Sequence, residues 1–198
     1  MPRVYFATGG LLQNSPIVCG GFDDNYTIFQ DCVVIGQPEM EVKMIEKRRF
    51  AANVALDQRT LWIVGGRDEH YHDLSSTVFI KLGQLSDKGP DLPFRICFHS
   101  MIQYDEKSIY IIGGSQNGSR SKKTWIVNPT NGFQIKEGPS LKKERFCHGC
   151  AKMTVNGRTI LVVAGGLSGY GGHLDSVEIL DPSENNDWTP GMFWNFVE

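Results

Sequence analysis

The chain is patterned as short apolar runs separated by polar, glycine-rich segments, and nowhere do apolar residues recur at the three- and four-residue spacing of a helix face. Four of the runs end in a pair of glycines: residues 16–21 (PIVCGG), 61–66 (LWIVGG), 109–114 (IYIIGG) and 161–166 (LVVAGG). Runs of this length, rich in Val, Ile and Leu and bounded by turn formers, predict strands. The first glycines, Gly20, Gly65, Gly113 and Gly165, follow one another at 45, 48 and 52 residues. A strand-and-turn period in that range is the signature of four-stranded propeller blades.

Other features keep step with the doublets. A polar loop follows each second glycine and gives way to a β-branched or aromatic run at residues 32–35, 77–80, 124–127 and 176–180. Val33 and Val78 lie 12 residues past Gly21 and Gly66, and Trp125 and Val177 lie 11 past Gly114 and Gly166. Two of the runs close on Asn128-Pro129 and Asp181-Pro182, where proline cannot continue a ladder. In the links, Gly89-Pro90-Asp91-Leu92 leads to Arg95 and His99, and 49 residues later Gly138-Pro139-Ser140-Leu141 leads to Arg145 and His148. The first link keeps only Arg48 and Arg49. Apolar strands at 51–56, 100–104 and 149–155 then turn at Asp57, Asp105 or Asn156-Gly157 into the next doublet strand, as hairpins. Val4, Tyr5 and Phe6 read as the opening strand of the first set.

These residues resemble the kelch repeat: an apolar strand, a double glycine, a polar loop, a hydrophobic third strand, and a tryptophan or Gly-Pro segment before an Arg-His pair. The resemblance covers nearly the whole chain. It implies an all-β, kelch-type β-propeller with four blades of four antiparallel strands in a single domain, at residues 3–46, 47–92, 93–141 and 142–190 with a tail at 191–198. Trp188 matches the family's tryptophan near the fourth strand, whereas the tyrosine usual near the end of the third strand is absent. Gly20, Gly21, Gly65, Gly66, Gly113, Gly114, Gly165 and Gly166 take structural roles, since a Cβ would obstruct close backbone approach and the following turn needs positive φ.

Kelch rings of the resembled family usually hold more than four blades, so the apolar faces of the first and last blades need cover. A tight four-bladed ring, pairing of two chains, and a larger ring completed elsewhere each supply it. The expectation is the incomplete ring, with self-association or a missing portion, and with the aromatic tail at 192–196 covering an edge or mediating pairing.

Charge narrows the functional classes. Twenty basic against twenty-two acidic side chains give a formal charge of −2, which supplies no general attraction to nucleic acid or to an anionic membrane. No apolar run is long enough to cross a bilayer as a helix, so membrane insertion is not expected. Enzymatic propeller signatures are missing: there is no Ser-x-Asp-x-Gly run, and the copper ligands of galactose-oxidase-like kelch enzymes are not evident among His70, His72, His99, His148 and His173. His70 and His72 share a side of an extended chain, but no third ligand is implied and a solvated loop accounts for them. His99 and His148 recur at the repeat period, which points to structural hydrogen bonds between strands or blades. In Cys147-His148-x-Cys150 alternate residues face opposite ways, which fits buried thiols better than a metal site. No metal, cofactor or catalytic residue is expected.

Cys19, just before the first doublet, and Cys32, opening the next strand, face each other across a hairpin within disulfide reach. Sequons at Asn25-Tyr26-Thr27 and Asn117-Gly118-Ser119 fall in post-doublet loops. Together these lean toward an extracellular protein, while the odd cysteine count suits a cytoplasmic one.

The post-doublet loops, residues 22–30, 67–75, 115–122 and 167–174, emerge on one face of such a propeller and share no evident motif, whereas the strands around them do. Varied loops on a repeated frame imply a recognition surface for a protein or peptide partner. The expected contact residues are Tyr26, Phe29, Arg67, His70, Tyr71, Arg120, Tyr170 and His173. Arg49, Arg95, Arg145 and Phe146 stand at the links, where internal bonding between blades is the competing role for the arginines. The alternatives to a non-catalytic scaffold are a fragment of a carbohydrate-active propeller enzyme and a secreted structural or matrix protein.

Overall fold

A computed structural model of the chain describes residues 3–37, 39–169, 172–184 and 186–191. These residues form nineteen strands in five antiparallel sheets, and no helix is found among them. Four of the sheets repeat one design. The first holds β1 (Thr8–Leu12), β2 (Ser15–Cys19), β3 (Asp31–Val34) and β4 (Val42–Lys43), and the second β5 (Ala52–Ala55), β6 (Leu61–Val64), β7 (Thr77–Ile80) and β8 (Asp87–Lys88), each in chain order across the sheet. After the short β9 (Ile96–Cys97), a third sheet takes β10 (Ser100–Asp105) and β11 (Ser108–Ile112). The chain then passes through β12 (Ser115–Gln116) and β13 (Ser119–Arg120) before that sheet resumes with β14 (Thr124–Asn128) and β15 (Gln134–Glu137). The fourth is β16 (Gly149–Val155), β17 (Arg158–Ala164), β18 (Val177–Leu180) and β19 (Thr189–Pro190). The fifth sheet joins β9, β12 and β13. No helix of the described residues is long and apolar enough to cross a membrane.

The doublet strand is the second strand of every four-stranded sheet, flanked on both sides by antiparallel partners. Val, Ile and Leu suit that half- or fully buried pleated position. The opening strand differs from its expected place. Tyr5 makes only an isolated bridge to Phe22, and Phe6 at φ 52 breaks the extended run, so the first strand begins at Thr8.

Two compact units arise by contact, one comprising Met1–Phe98 with Ser115–Ser119 and the other His99–Gly114 with Arg120–Glu198. In the first, Leu12, Ile17 and Val34 pack with Leu61, Ile63 and Ile80 of the following sheet. Asn53 Nδ2 donates to Gly9 O at 2.9 Å, tying β5 to β1. In the second unit Ile102, Tyr110 and Ile112 pack with Leu161, Val163 and Trp188. Trp188, fully buried, donates its indole N–H to Pro139 O at 3.0 Å, which satisfies its one polar atom.

The glycine requirement has a specific source. The second glycine's N–H donates to a link carbonyl: Gly21 to Arg48, Gly66 to Ile96 and Gly114 to Arg145, at 2.8 to 2.9 Å. Gly66 sits at φ 102, and a Cβ there would lie 2.7 Å from Arg49 O. At Gly166 a Cβ would come within 2.6 Å of Phe146 O. Positive φ and backbone crowding therefore select glycine together.

Cys19 and Cys32 are directly opposed Cα partners on β2 and β3 and form a disulfide.

Candidate binding surface

Each doublet hands the chain to a loop whose first residue pairs back to the link. Phe22 bridges Tyr5, Arg67 bridges Arg49, Leu167 bridges Phe146, and Ser115 pairs with Cys97. In the first two loops the next residue is an aspartate that folds the loop over itself. Asp23 Oδ1 accepts the N–H groups of Asn25 and Thr27, each at 2.9 Å. Asp68 Oδ1 accepts those of His70 and His72, each at 2.8 Å. This use of aspartate to mimic a backbone turn leaves Tyr26 and Tyr71 in the left-handed region, at φ 61 and 63. Both tyrosines are exposed, 69% and 67%. Burial would raise the Asp68 pKa, but the His70 and His72 amides and the His72 ring outweigh it and hold the carboxyl below its ordinary value.

The two loops therefore share a pattern, Asp23-Asp24-Asn25-Tyr26 and Asp68-Glu69-His70-Tyr71, which corrects the expectation that the loops have no common motif. Only two of the four carry it. In the fourth, Ser168 takes the capping place, its N and Oγ both donating to Gly172 O.

Between these loops the first unit gathers aromatic rings around a buried arginine. The Arg49 guanidinium lies 4.7 Å from the Tyr71 ring centroid, 5.1 Å from Phe50 and 5.2 Å from Phe22. Phe22 in turn stacks on Tyr26 at 5.5 Å and on Phe6 at 6.0 Å, and Phe50 meets Phe98 at 4.0 Å. Guanidinium-over-ring contacts of this kind gain strength as water is excluded. Phe6, Phe50 and Phe98 occupy equivalent link positions with φ of 52, 59 and 57, and Cys147 holds the fourth at φ 54. A bulky residue at positive φ is uncommon, so its recurrence marks a built feature of the frame. The signal was present in the sequence: these phenylalanines precede Gly20, Gly65 and Gly113 by 14, 15 and 15 residues.

The expected contact residues fall into three groups. Tyr26 and Tyr71 stand exposed at loop tips and are brought together through Phe22 and Arg49. His70 is exposed beside Tyr71, its ring 6.2 Å from that of His72. Arg67 turns inward instead: Nε donates to Asp73 Oδ1 at 2.7 Å, and the guanidinium lies 5.4 Å from the Phe98 ring. Phe29 is half-buried on the frame, where its N–H donates to Gly21 O and its carbonyl accepts from Arg48. In the second unit, exposed Arg120 donates to Gly169 O and covers Phe146 at 5.1 Å, and His173 is exposed opposite Leu167. Tyr170 and the aromatic tail at 192–196 lie outside the described residues.

Of the link arginines, Arg48, Arg49 and Arg145 are buried and Arg95 is exposed. Arg48 and Arg145, 1% and 0% exposed, make one repeated set of bonds. Arg48 Nη1 donates to Gly65 O and Ser76 O, and Arg145 Nη1 to Gly165 O and Ser176 O. Each guanidinium thus reaches from a link into the next sheet, holding its doublet against its third strand. Burial lowers the Arg48 pKa, with the Glu46 carboxylate opposing. Arg95 is not the counterpart of Arg145. Ile96 fills that position, because it is the Ile96 carbonyl that meets the second glycine as the Arg145 carbonyl does. His148 Nε2 lies 2.7 Å from Ser100 Oγ, the expected bond between neighbouring sheets, whereas neither ring nitrogen of His99 meets a described partner. Among the described residues, no three His, Cys, Asp or Glu side chains are placed to hold a metal ion. No protein-family model matches the chain.

Proposed function

We propose that the chain is a kelch-type β-propeller segment that recognises a protein or peptide partner, without catalysis, through its post-doublet loops. The kelch reading is supported by four sheets of one strand order, the doublet at the end of each second strand, and the recurring bond from second glycine to link. The recognition reading rests on one observation. Tyr26 and Tyr71 are exposed by more than two-thirds on loops that Asp23 and Asp68 hold in one conformation. An aromatic side chain on a pre-ordered loop buries large area at little entropic cost, which is why such residues dominate binding hot spots.

The test is the Tyr26→Ala/Tyr71→Ala double variant, measured against a partner identified by cross-linking in the native source and then purified. Affinity falls at least about tenfold while the fold, by circular dichroism and thermal midpoint, is retained. Wild-type affinity in the double variant would remove the loops from the recognition surface.

A further inference from the structure

Tyr5, Phe6, Phe22, Asp23, Asp24 and Tyr26 line a depression of about 270 Å³ in the first unit. Four of the six are aromatic, and Tyr5, Phe6 and Tyr26 are 38%, 54% and 69% exposed. The other two are carboxylates. Asp23 Oδ1 is occupied by the loop amides and Asp24 Oδ1 by the Tyr5 hydroxyl at 2.8 Å, but no described residue bonds the Oδ2 atom of either. Asp24 raises the pKa of the Tyr5 hydroxyl, with Arg3 opposing. The Arg49 guanidinium lies among the inner rings, buried.

Aromatic faces bearing negative quadrupole, together with carboxylate oxygens, complement a cation and repel an anion. The same unit already uses this chemistry internally, with Arg49 set against Phe22, Phe50 and Tyr71 and Arg67 against Phe98. We infer that the depression seats a cationic side chain, arginine or lysine, of the partner, an inference that rests on the recognition reading above and names its anchor. The rings supply the contact area and the two free carboxylate oxygens fix the charged head, as charge-assisted acceptors.

The probe is Nα-acetyl-argininamide, with its neutral isostere Nα-acetyl-citrullinamide as control, titrated into the full chain and followed by aromatic NMR shifts. The arginine probe gives saturable shifts at Tyr5, Phe6, Phe22 and Tyr26, the citrulline probe binds at least about tenfold more weakly, and Asp24→Asn weakens the arginine probe about fivefold. Equal binding of the two probes, or no saturable shift, overturns the inference. The two readings separate cleanly: a partner lost with Tyr71→Ala but held at full strength by Asp24→Asn leaves the loop surface standing and removes the cation seat.

Discussion

Arg145 and Glu178 form an ion pair at 2.8 Å with both side chains shut away from solvent, 0% and 4% exposed. Glu178 also accepts the backbone N–H of Lys142 at 2.6 Å and of Lys143 at 3.2 Å, so one carboxylate from β18 closes the link and anchors its arginine. Removing one partner leaves a buried charge uncompensated, along with the carbonyls of Gly165 and Ser176. Arg145→Ala is therefore expected to cost about 3 to 5 kcal/mol in urea unfolding. Arg145→Met combined with Glu178→Gln costs less than the sum of the two single variants, because the pair acts as a unit.

The two repeat histidines make stability depend on pH. Burial, with the neighbouring His148 adding, lowers the His99 pKa to about 3, and burial, with Arg145 adding, lowers that of His148 to about 4, against an ordinary 6.5. Between 6.5 and those values the unfolded chain binds protons that the folded chain does not. Stability is thus complete above 6.5 and falls as the pH drops below it, by about 1.4 kcal/mol per pH unit for each histidine. Urea midpoints at pH 7 and pH 5 measure the fall. His99→Leu reduces its slope, and an unchanged slope would show that His99 stays solvated.

The second loop depends on ionised Asp68. Its folded pKa lies below the ordinary 3.8, so the loop's stabilisation is complete above that value and is lost as pH falls through the lowered one. Amide exchange at His70 and His72 reports it directly. Asp68→Ala at neutral pH speeds exchange at both amides about tenfold while the global midpoint moves little, since each hydrogen bond contributes about 1 kcal/mol.

The Cys19–Cys32 disulfide closes a span of 13 residues across β2 and β3. By the chain-entropy relation, replacing both cysteines with serine lowers unfolding free energy by about 3 kcal/mol. The comparison is urea unfolding of the oxidised chain against the double variant. Labelling of both thiols in protein matured in an oxidising compartment would show the bond absent.

The second and third strands of the four repeated sheets, the hairpins leading into the doublets and the disulfide partners were open to reading because they depend on neighbours in sequence, whereas the start of the first strand and the fifth sheet were not. Alternating or continuous apolar runs set which residues pleat inward, and a hairpin fixes its own register, so Cys19 and Cys32 could be paired from position alone. The glycine doublets were legible too, as positions needing positive φ, although the atoms that crowd them, such as Arg49 O at Gly66, belong to links far along the chain.

The proposed binding surface was legible only in part. Tyr26 and Tyr71 announce themselves as aromatic residues in polar loops, but the aspartates that fix them and the Arg49 ring nest that joins them do not. In sequence Arg67 reads as a loop cation open to a partner, and Arg49 as a link cation for which internal bonding competes with a binding role. One is neutralised by Asp73 and the other buried among rings, since what a long side chain meets is decided by residues brought near through strand pairing. Sequence determined where the chain extends, turns and pairs, through local sterics and hydrophobic periodicity. Tertiary structure alone decided which charges are spent inside, which link residue answers Arg145, and which rings stay exposed, because desolvation and pairing of those groups are set by atoms distant in sequence.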